Sequence, residues 1–187
     1  MQTTPAFVAA ALPAVRGLMP YEPGKPIEEL ERELGITDII KLASNESPLG
    51  PAPGVHRVLA AEMERLALYP DGSGHVLKRA LAAHLDVPPV AITLGNGSND
   101  LLNLVAQAFL APGRNAVMSA HAFAIYGLAS RAVGAEVRVA PALPADAPQP
   151  YGHDLAAMAG AIDGDTAVVF IANPNNPTGT WIDADAL

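Results

Sequence analysis

The sequence predicts an α/β domain built on a mainly parallel sheet, and three observations carry that expectation. Between residues 91 and 187, strand-like apolar runs alternate four times with helix-like stretches, the pattern of successive β-α units sharing one sheet. The run Ala167-Val168-Val169-Phe170-Ile171 is apolar at every position, as expected of a parallel strand covered on both faces. The chain has 187 residues, 50% hydrophobic and 16% charged, so it can bury one domain's core and does not read as disordered.

The elements follow in order. Pro5, Pro13, Pro20, Pro23 and Pro26 interrupt the first 26 residues, leaving an arm with one short helical stretch around Phe7–Leu12. Ile27–Leu34 is an acidic helix stopped by Gly35; its Glu28, Glu29, Glu31 and Glu33 read as a solvated face. Ile39–Ala43 reads as a short strand, followed by a turn-rich loop from Ser44 to Pro51. Val55–Leu68 and His75–Leu85 read as helices on either side of the loop Tyr69-Pro70-Asp71-Gly72-Ser73-Gly74, and Pro88-Pro89 end the second.

Ala91–Leu94 is the first strand of the alternating region. Ser98–Leu110 is a helix with Leu101, Leu104, Val105 and Ala108 on one stripe. Strands Ala116–Met118, Glu136–Ala140 and Thr166–Ala172 follow, with helices at Ala124–Val133 and Asp154–Ile162 between them. Residues 141–153 form a Pro-rich loop, Asn173–Thr180 a polar loop, and Asp183 opens a helix that the end of the chain cuts off.

Composition removes several classes of function. Net charge is −8, from 11 basic and 19 acidic residues, with no basic patch for nucleic acid or anionic membranes. The absence of cysteine excludes disulfides and thiolate metal sites. His56, His75, His84, His121 and His153 lack metal-ligand spacing and read as surface or half-buried residues. Neither His-Glu-x-x-His nor Gly-x-Ser-x-Gly occurs. Phe7–Leu12 is too short to cross a bilayer, and no positive region precedes it as in a signal peptide. A soluble cytoplasmic chain without membrane or nucleic-acid partners is expected.

Three loops can carry chemistry. Gly95-Asn96-Gly97-Ser98-Asn99-Asp100 joins a strand to a helix start, where glycines allow close backbone approach and free N–H groups with the dipole attract a phosphate; Ser98 is a candidate N-cap and phosphate donor. An ordinary capped glycine turn reads equally well. A dinucleotide fingerprint needs glycine where Asp100 stands, and a Walker loop needs Gly-Lys-Ser/Thr, so a single phosphate monoester fits best. Ala172-Asn173-Pro174-Asn175-Asn176-Pro177-Thr178-Gly179-Thr180 follows a strand at the end where α/β proteins bind ligands, and its prolines stiffen the backbone that carries the amides. His121-Ala122-Phe123-Ala124-Ile125-Tyr126 offers aromatics that either stack on a flat ligand or fill the core.

Together these segments resemble the fold type I pyridoxal-phosphate (PLP) enzymes, in the histidinol-phosphate aminotransferase branch. The matching stretches are Lys41-Leu42-Ala43-Ser44-Asn45-Glu46 with Pro48-Leu49-Gly50, Tyr69-Pro70-Asp71-Gly72, Gly95-Asn96-Gly97-Ser98-Asn99, Phe123-Ala124-Ile125-Tyr126, Tyr151-Gly152-His153-Asp154 and Ala172–Thr180, with the arm motif around Pro20, Tyr21, Lys25 and Pro26. They keep the family's order over nearly the whole chain, and the ensemble is far more specific than any single loop.

The resemblance implies a three-layer PLP-binding large domain at 41–187, incomplete at its C-terminal side, with residues 1–40 as an N-terminal arm and part of a small domain. It implies that Gly97, Ser98 and Asn99 hold the PLP phosphate, that Phe123 stacks on the pyridine ring, and that Asn176 bonds the ring's 3-oxygen. Tyr69 reaches the phosphate in a neighbouring subunit, which implies a homodimer, and Tyr21 and Asn45 approach the substrate. The implied reaction is transamination between glutamate and imidazole-acetol phosphate, in histidine biosynthesis. The family's Schiff-base lysine, the aspartate facing the pyridinium nitrogen and the specificity arginines are expected beyond Leu187. Lys25, Lys41 and Lys78, the chain's only lysines, match none of the catalytic positions. An aromatic amino-acid aminotransferase, a phosphothreonine-type decarboxylase or a non-catalytic PLP-fold fragment are the alternatives.

Overall fold

The computed structural model describes residues 6–21 and 23–187; Pro5, one of the arm's expected helix breakers, lies outside them. The contacts divide the chain into two compact units, one of residues up to 21 with 95–187, the other of residues 23–94.

The first unit is built on strands β1 (Asn115–Ser119), β2 (Glu136–Ala140) and β3 (Thr166–Val169), parallel and in the order β2-β1-β3. Helices α6 (Ser98–Phe109) and α7 (Ala124–Ala132) cover one face, where Ala106, Leu110 and Ala129 meet Ala116, Met118 and Phe170. Helix α8 (Leu155–Gly160) covers the other, bringing Met158 against Val117 and Ala140. The result is the helix–sheet–helix layering expected of the sequence. Every residue of β1 is buried, because this strand is paired on both edges and covered on both faces. Each fully buried side chain of the size of Val117 or Met118 contributes roughly 1.5–3 kcal/mol.

A polar network joins the strands at their N-terminal ends. The Asn115 amide donates to Asp163 Oδ1 (3.0 Å) and accepts from the Thr166 hydroxyl (2.7 Å). Arg138 of β2 pairs with Asp163 and donates to the Ala161 carbonyl at 3.2 Å. The Asn115 amide first, and the Arg138 guanidinium second, hold the Asp163 carboxyl well below the usual carboxylate range.

In the arm, α1 (Ala6–Ala9) and α2 (Pro13–Arg16) are single turns, and α2 packs on α7. The expected stretch to Leu12 is therefore shorter, and Pro13 starts a second turn because proline suits a first helical position.

The second unit contains α3 (Ile27–Leu34), α4 (Pro53–Glu62), a 3₁₀ turn at Met63–Arg65, and α5 (His75–Leu85). Gly35 ends α3 in the left-handed conformation, φ 66°, as its position suggested. Pro53 begins α4 two residues before the expected start, again as a first-turn proline. Among the described residues of this unit only Ala82 is buried, and Val58, Leu59, Leu66 and Leu68 stand exposed.

Several expectations are corrected. Ile39–Ala43 is not a strand; Ile40 and Leu42 are 82% and 90% exposed, and no described segment pairs with their backbone. Ala91–Leu94 is likewise unpaired: a 3₁₀ turn at Pro89–Ala91 leads into extended backbone at Ile92. High β propensity does not make a strand without a neighbour to satisfy its N–H and C=O groups. β3 is shorter than Thr166–Ala172 and is not covered on both faces: Phe170 is buried, but Val169 and Ile171 are about a third exposed, because β3 is the sheet's edge. Asp183 opens only a turn, accepting from the Ala186 N–H at 2.9 Å. The Pro-rich stretch 141–153 is no plain loop, since Ala142 and His153 form an antiparallel bridge.

Candidate active site

The topology creates a crevice. From β1 the chain passes through α7 to β2 on one side, then returns through α8 to β3 on the other. Loops leaving the carboxyl ends of β1 and β3 diverge at this reversal, where open α/β sheets bind ligands. His121–Phe123 leaves β1, residues 172–180 leave β3, and the start of α6 closes the third side.

A cleft of about 440 Å³ lies there, lined by Ser98, Leu101, Leu102, Val105, Phe123, Tyr126, Ala172, Pro174 and Asn176. Its size falls in the ~300–1,000 Å³ usual for small-molecule sites, and so does its make-up of apolar walls with few polar groups. Ser98, Phe123 and Asn176, taken from three distant stretches of sequence, thus share one cavity. A larger hollow of about 620 Å³ runs along α4 in the second unit, but of its lining residues only Arg57 has a polar side chain.

The phosphate-side geometry differs from the sequence reading in one respect. Gly97, not Ser98, caps α6, with φ 80° and ψ 174°, and no side chain caps the helix. That backbone is essentially reserved for glycine. Ser98 therefore begins the helix, and the first-turn N–H groups have no intrahelical acceptor. The Asp100 carboxylate folds back to accept from the Asn96 N–H at 3.0 Å, so it is engaged locally. The Asn99 side chain lines a neighbouring groove with Leu18, Pro20, Asn103 and Ile125, away from the Ser98 cleft.

The aromatic wall is continuous. Tyr21 meets Phe123 at 6.0 Å and Phe123 meets Tyr126 at 5.9 Å, both edge to face, and Tyr126 stacks on buried Phe170 at 4.7 Å. Tyr126 packs on the core, and both Phe123 and Tyr126 line the cleft. Burial raises the Tyr126 phenol above its ordinary pKa.

In the loop after β3 the asparagines divide their work. Asn173 clamps Ile182 through both backbone groups, at 2.7 and 3.1 Å. Asn175 is buried, and its Nδ2 donates to the His121 carbonyl (2.9 Å) and the Thr178 hydroxyl (2.8 Å). Asn173 and Asn176 are both exposed, and Asn176 is the one that lines the cleft. The Asn173-Pro174 and Asn176-Pro177 peptides are cis. Sequence reasoning singled out Asn176 and missed the structural roles of Asn173 and Asn175; the density of amides between prolines was the available signal. It also missed His153, which is buried rather than at the surface, with Nε2 3.0 Å from the Ala172 carbonyl oxygen.

Tyr69 and Asn45 belong to the second unit. Tyr69 is fully exposed, and Asn45 is exposed beside the ion pair of Lys41 with Glu46 (3.0 Å). Lys25 pairs with Glu29 and Glu33, and Lys78 lies on α5. Among the described residues there is no grouping of His, Asp or Glu able to hold a metal, and no helix long and apolar enough to cross a membrane.

Residues 37–187 match the family described as aminotransferase class I and II. The chain is similar to histidinol-phosphate aminotransferase 2 of Pseudomonas aeruginosa, 58% identical over 97% of this chain and 48% of that protein. It is similar to the protein of the same name from Methylococcus capsulatus, 58% identical over 95% of this chain and 48% of the relative. The crystal structure of histidinol-phosphate aminotransferase from Sinorhizobium meliloti, in complex with pyridoxal-5'-phosphate, superposes with a TM-score of 0.78 at 29% identity, over 92% of this chain and 45% of that one. The chain spans about half the length of the curated relatives it matches.

Proposed function

Because this chain belongs to the aminotransferase class I and II family, we propose that it supplies the cofactor-facing N-terminal part of a histidinol-phosphate aminotransferase. The enzyme moves an amino group between glutamate/2-oxoglutarate and histidinol phosphate/imidazole-acetol phosphate, in cytoplasmic histidine biosynthesis. The observation that carries this reading is the single cleft lined by Ser98, Phe123 and Asn176.

The residues present fit PLP. The glycine-capped, side-chain-free start of α6 suits a phosphate dianion, which accepts from the N–H groups of Ser98 and Asn99 and from the Ser98 hydroxyl. Phe123 provides an aromatic surface for a flat ring, held from behind by Tyr126 and Phe170. The Asn176 amide donates to the ring's 3-oxygen and orients the ring. PLP, when bound, supplies an electron sink for breaking bonds at the substrate's amino-bearing carbon. Tyr21, edge-on to Phe123, limits water at the ring and contacts the substrate; the family resemblance names Asn45 as a further substrate contact. The lysine that carries the cofactor lies outside this sequence.

In this reading residues 1–40 are the arm and the start of a small domain, and 41–187 the large domain. Fully exposed Tyr69 and the exposed apolar residues of α4 support a homodimer in which Tyr69 reaches the partner's phosphate site.

The test uses the chain's single tryptophan, Trp181, which adjoins the Asn176 loop. PLP is titrated while Trp181 fluorescence is followed, then the mixture is reduced with borohydride and the intact mass recorded. Saturable quenching, weakened about tenfold by Asn176→Ala, without a stoichiometric adduct, is expected. Absence of quenching removes the cofactor role of this chain. Turnover of histidinol phosphate in preference to phenylalanine by the complete gene product tests the substrate assignment.

A further inference from the structure

The sequence assigns the stretch 141–153 no role, and in the fold its contacts converge on one target. Ala142 and His153 bridge antiparallel, the Leu143 N–H donates to the Gly152 carbonyl at 2.9 Å, and the Tyr151 N–H donates to the Leu143 carbonyl at 3.1 Å. This folds the stretch into a short hairpin that carries Gln149 and His153 to the loop after β3. The Gln149 Oε1 accepts from the Trp181 N–H at 3.2 Å. A Cβ on Gly152 would stand 3.4 Å from Thr180 Cβ, so backbone and loop lie in contact. Tyr151 meets the His121 ring edge to face at 5.1 Å.

His153 makes the most telling contact. It is 5% exposed, and its Nε2 lies 3.0 Å from the Ala172 carbonyl oxygen. A carbonyl only accepts, so Nε2 carries the hydrogen and donates. Nδ1 is buried with no partner among the described residues, so the ring's one satisfied polar atom is the one that grips the loop. The hairpin therefore holds this loop at both ends, Ala172 through His153 and Trp181 through Gln149. Within the loop, the Asn175 N–H donates to the Thr180 carbonyl and the Gly179 N–H to the Asn175 carbonyl, each at 2.8 Å. Asn176 sits on the turn these bonds enclose.

We propose that His153 is a positioning residue: its Nε2–H fixes the Ala172 carbonyl and, through the braced loop, the place of Asn176 in the cleft. Its link to PLP rests on the function proposed above, whereas the bracing of the loop does not.

The experiment compares the 187-residue chain with His153→Leu, which removes the donor, and His153→Gln, whose side-chain amide restores a donor near Nε2. Two readouts are taken: PLP affinity from Trp181 quenching, and hydrogen exchange at the Asn175 and Gly179 amides referenced to the Val117 amide of β1. His153→Leu is expected to weaken PLP about tenfold and to speed loop exchange about tenfold relative to Val117, with His153→Gln within about twofold of the parent. Unchanged loop exchange in His153→Leu overturns the inference, as does a Gln variant as impaired as the Leu variant, which would assign the effect to packing. If the parent chain does not bind PLP, the cofactor reading fails, and the exchange measurement alone decides whether His153 braces the loop. Should His153→Leu not fold, Gln149→Ala takes its place: the Trp181 amide must lose protection relative to Val117, and retained protection overturns the bracing.

Discussion

Asn175 Nδ2 donates to the carbonyl oxygen of His121 at 2.9 Å, across 54 residues of sequence. This bond ties the loop leaving β1 to the loop leaving β3 at the mouth of the crevice. Asn175 is 3% exposed, its Nδ2 is shared between this carbonyl and the Thr178 hydroxyl, and a buried polar group without a partner is costly. Asn175→Ala is expected to destabilise the chain by about 1–3 kcal/mol. Asn175→Asp should cost more, since an anionic oxygen would face the His121 carbonyl. Urea midpoints give the order, and an Asp variant as stable as the Ala variant contradicts it.

Gly97 presents a different kind of constraint. A Cβ there meets nothing within 4 Å, yet φ is 80°. Gly97→Ala should therefore destabilise by about 1–3 kcal/mol through backbone strain alone. The same substitution should also weaken PLP binding if the helix start moves. A Gly97→Ala chain with parental stability would show that this backbone relaxes freely.

The two sides of β3 should respond unequally. Phe170→Ala opens a hole beneath Tyr126 in the core and should cost about 3–5 kcal/mol. Val169→Ala, on the partly open side, should cost less than about 1 kcal/mol. Equal losses in chemical denaturation would mean that β3 is covered on both sides in solution.

Asp163 sets an acid-side dependence. Its folded pKa is depressed below the ordinary 3.8, so its contribution is fully present above that value and is lost as pH falls toward the folded pKa. The stability gap between the parent and Asp163→Asn is expected to be constant near neutrality and to shrink on going from about pH 5 to about pH 3. Added salt should narrow the part that comes from Arg138, which is a surface pairing. A gap that widens with acid reverses the sign and contradicts the network as described.

The local sequence was enough to place α3, α5, α6, α7 and the strand at Glu136–Ala140, because apolar period and end signals such as Gly35 act within a few residues. It was enough also to mark the three loops of the cleft, since glycine, proline and amide clusters constrain backbone wherever they occur. Whether an apolar run becomes a strand was decided by tertiary structure: Ile39–Ala43 and Ala91–Leu94 have the composition but no described neighbour, while Asn115–Ser119 has one on each edge. The same holds for the amides after β3. Asn173, Asn175 and Asn176 are chemically identical, and only the fold decides which hold backbone and which reaches the cleft. His153 likewise became a buried donor through a hairpin that no periodicity announces, because hydrogen-bond partners 19 residues apart are chosen by packing in space and not by position along the chain.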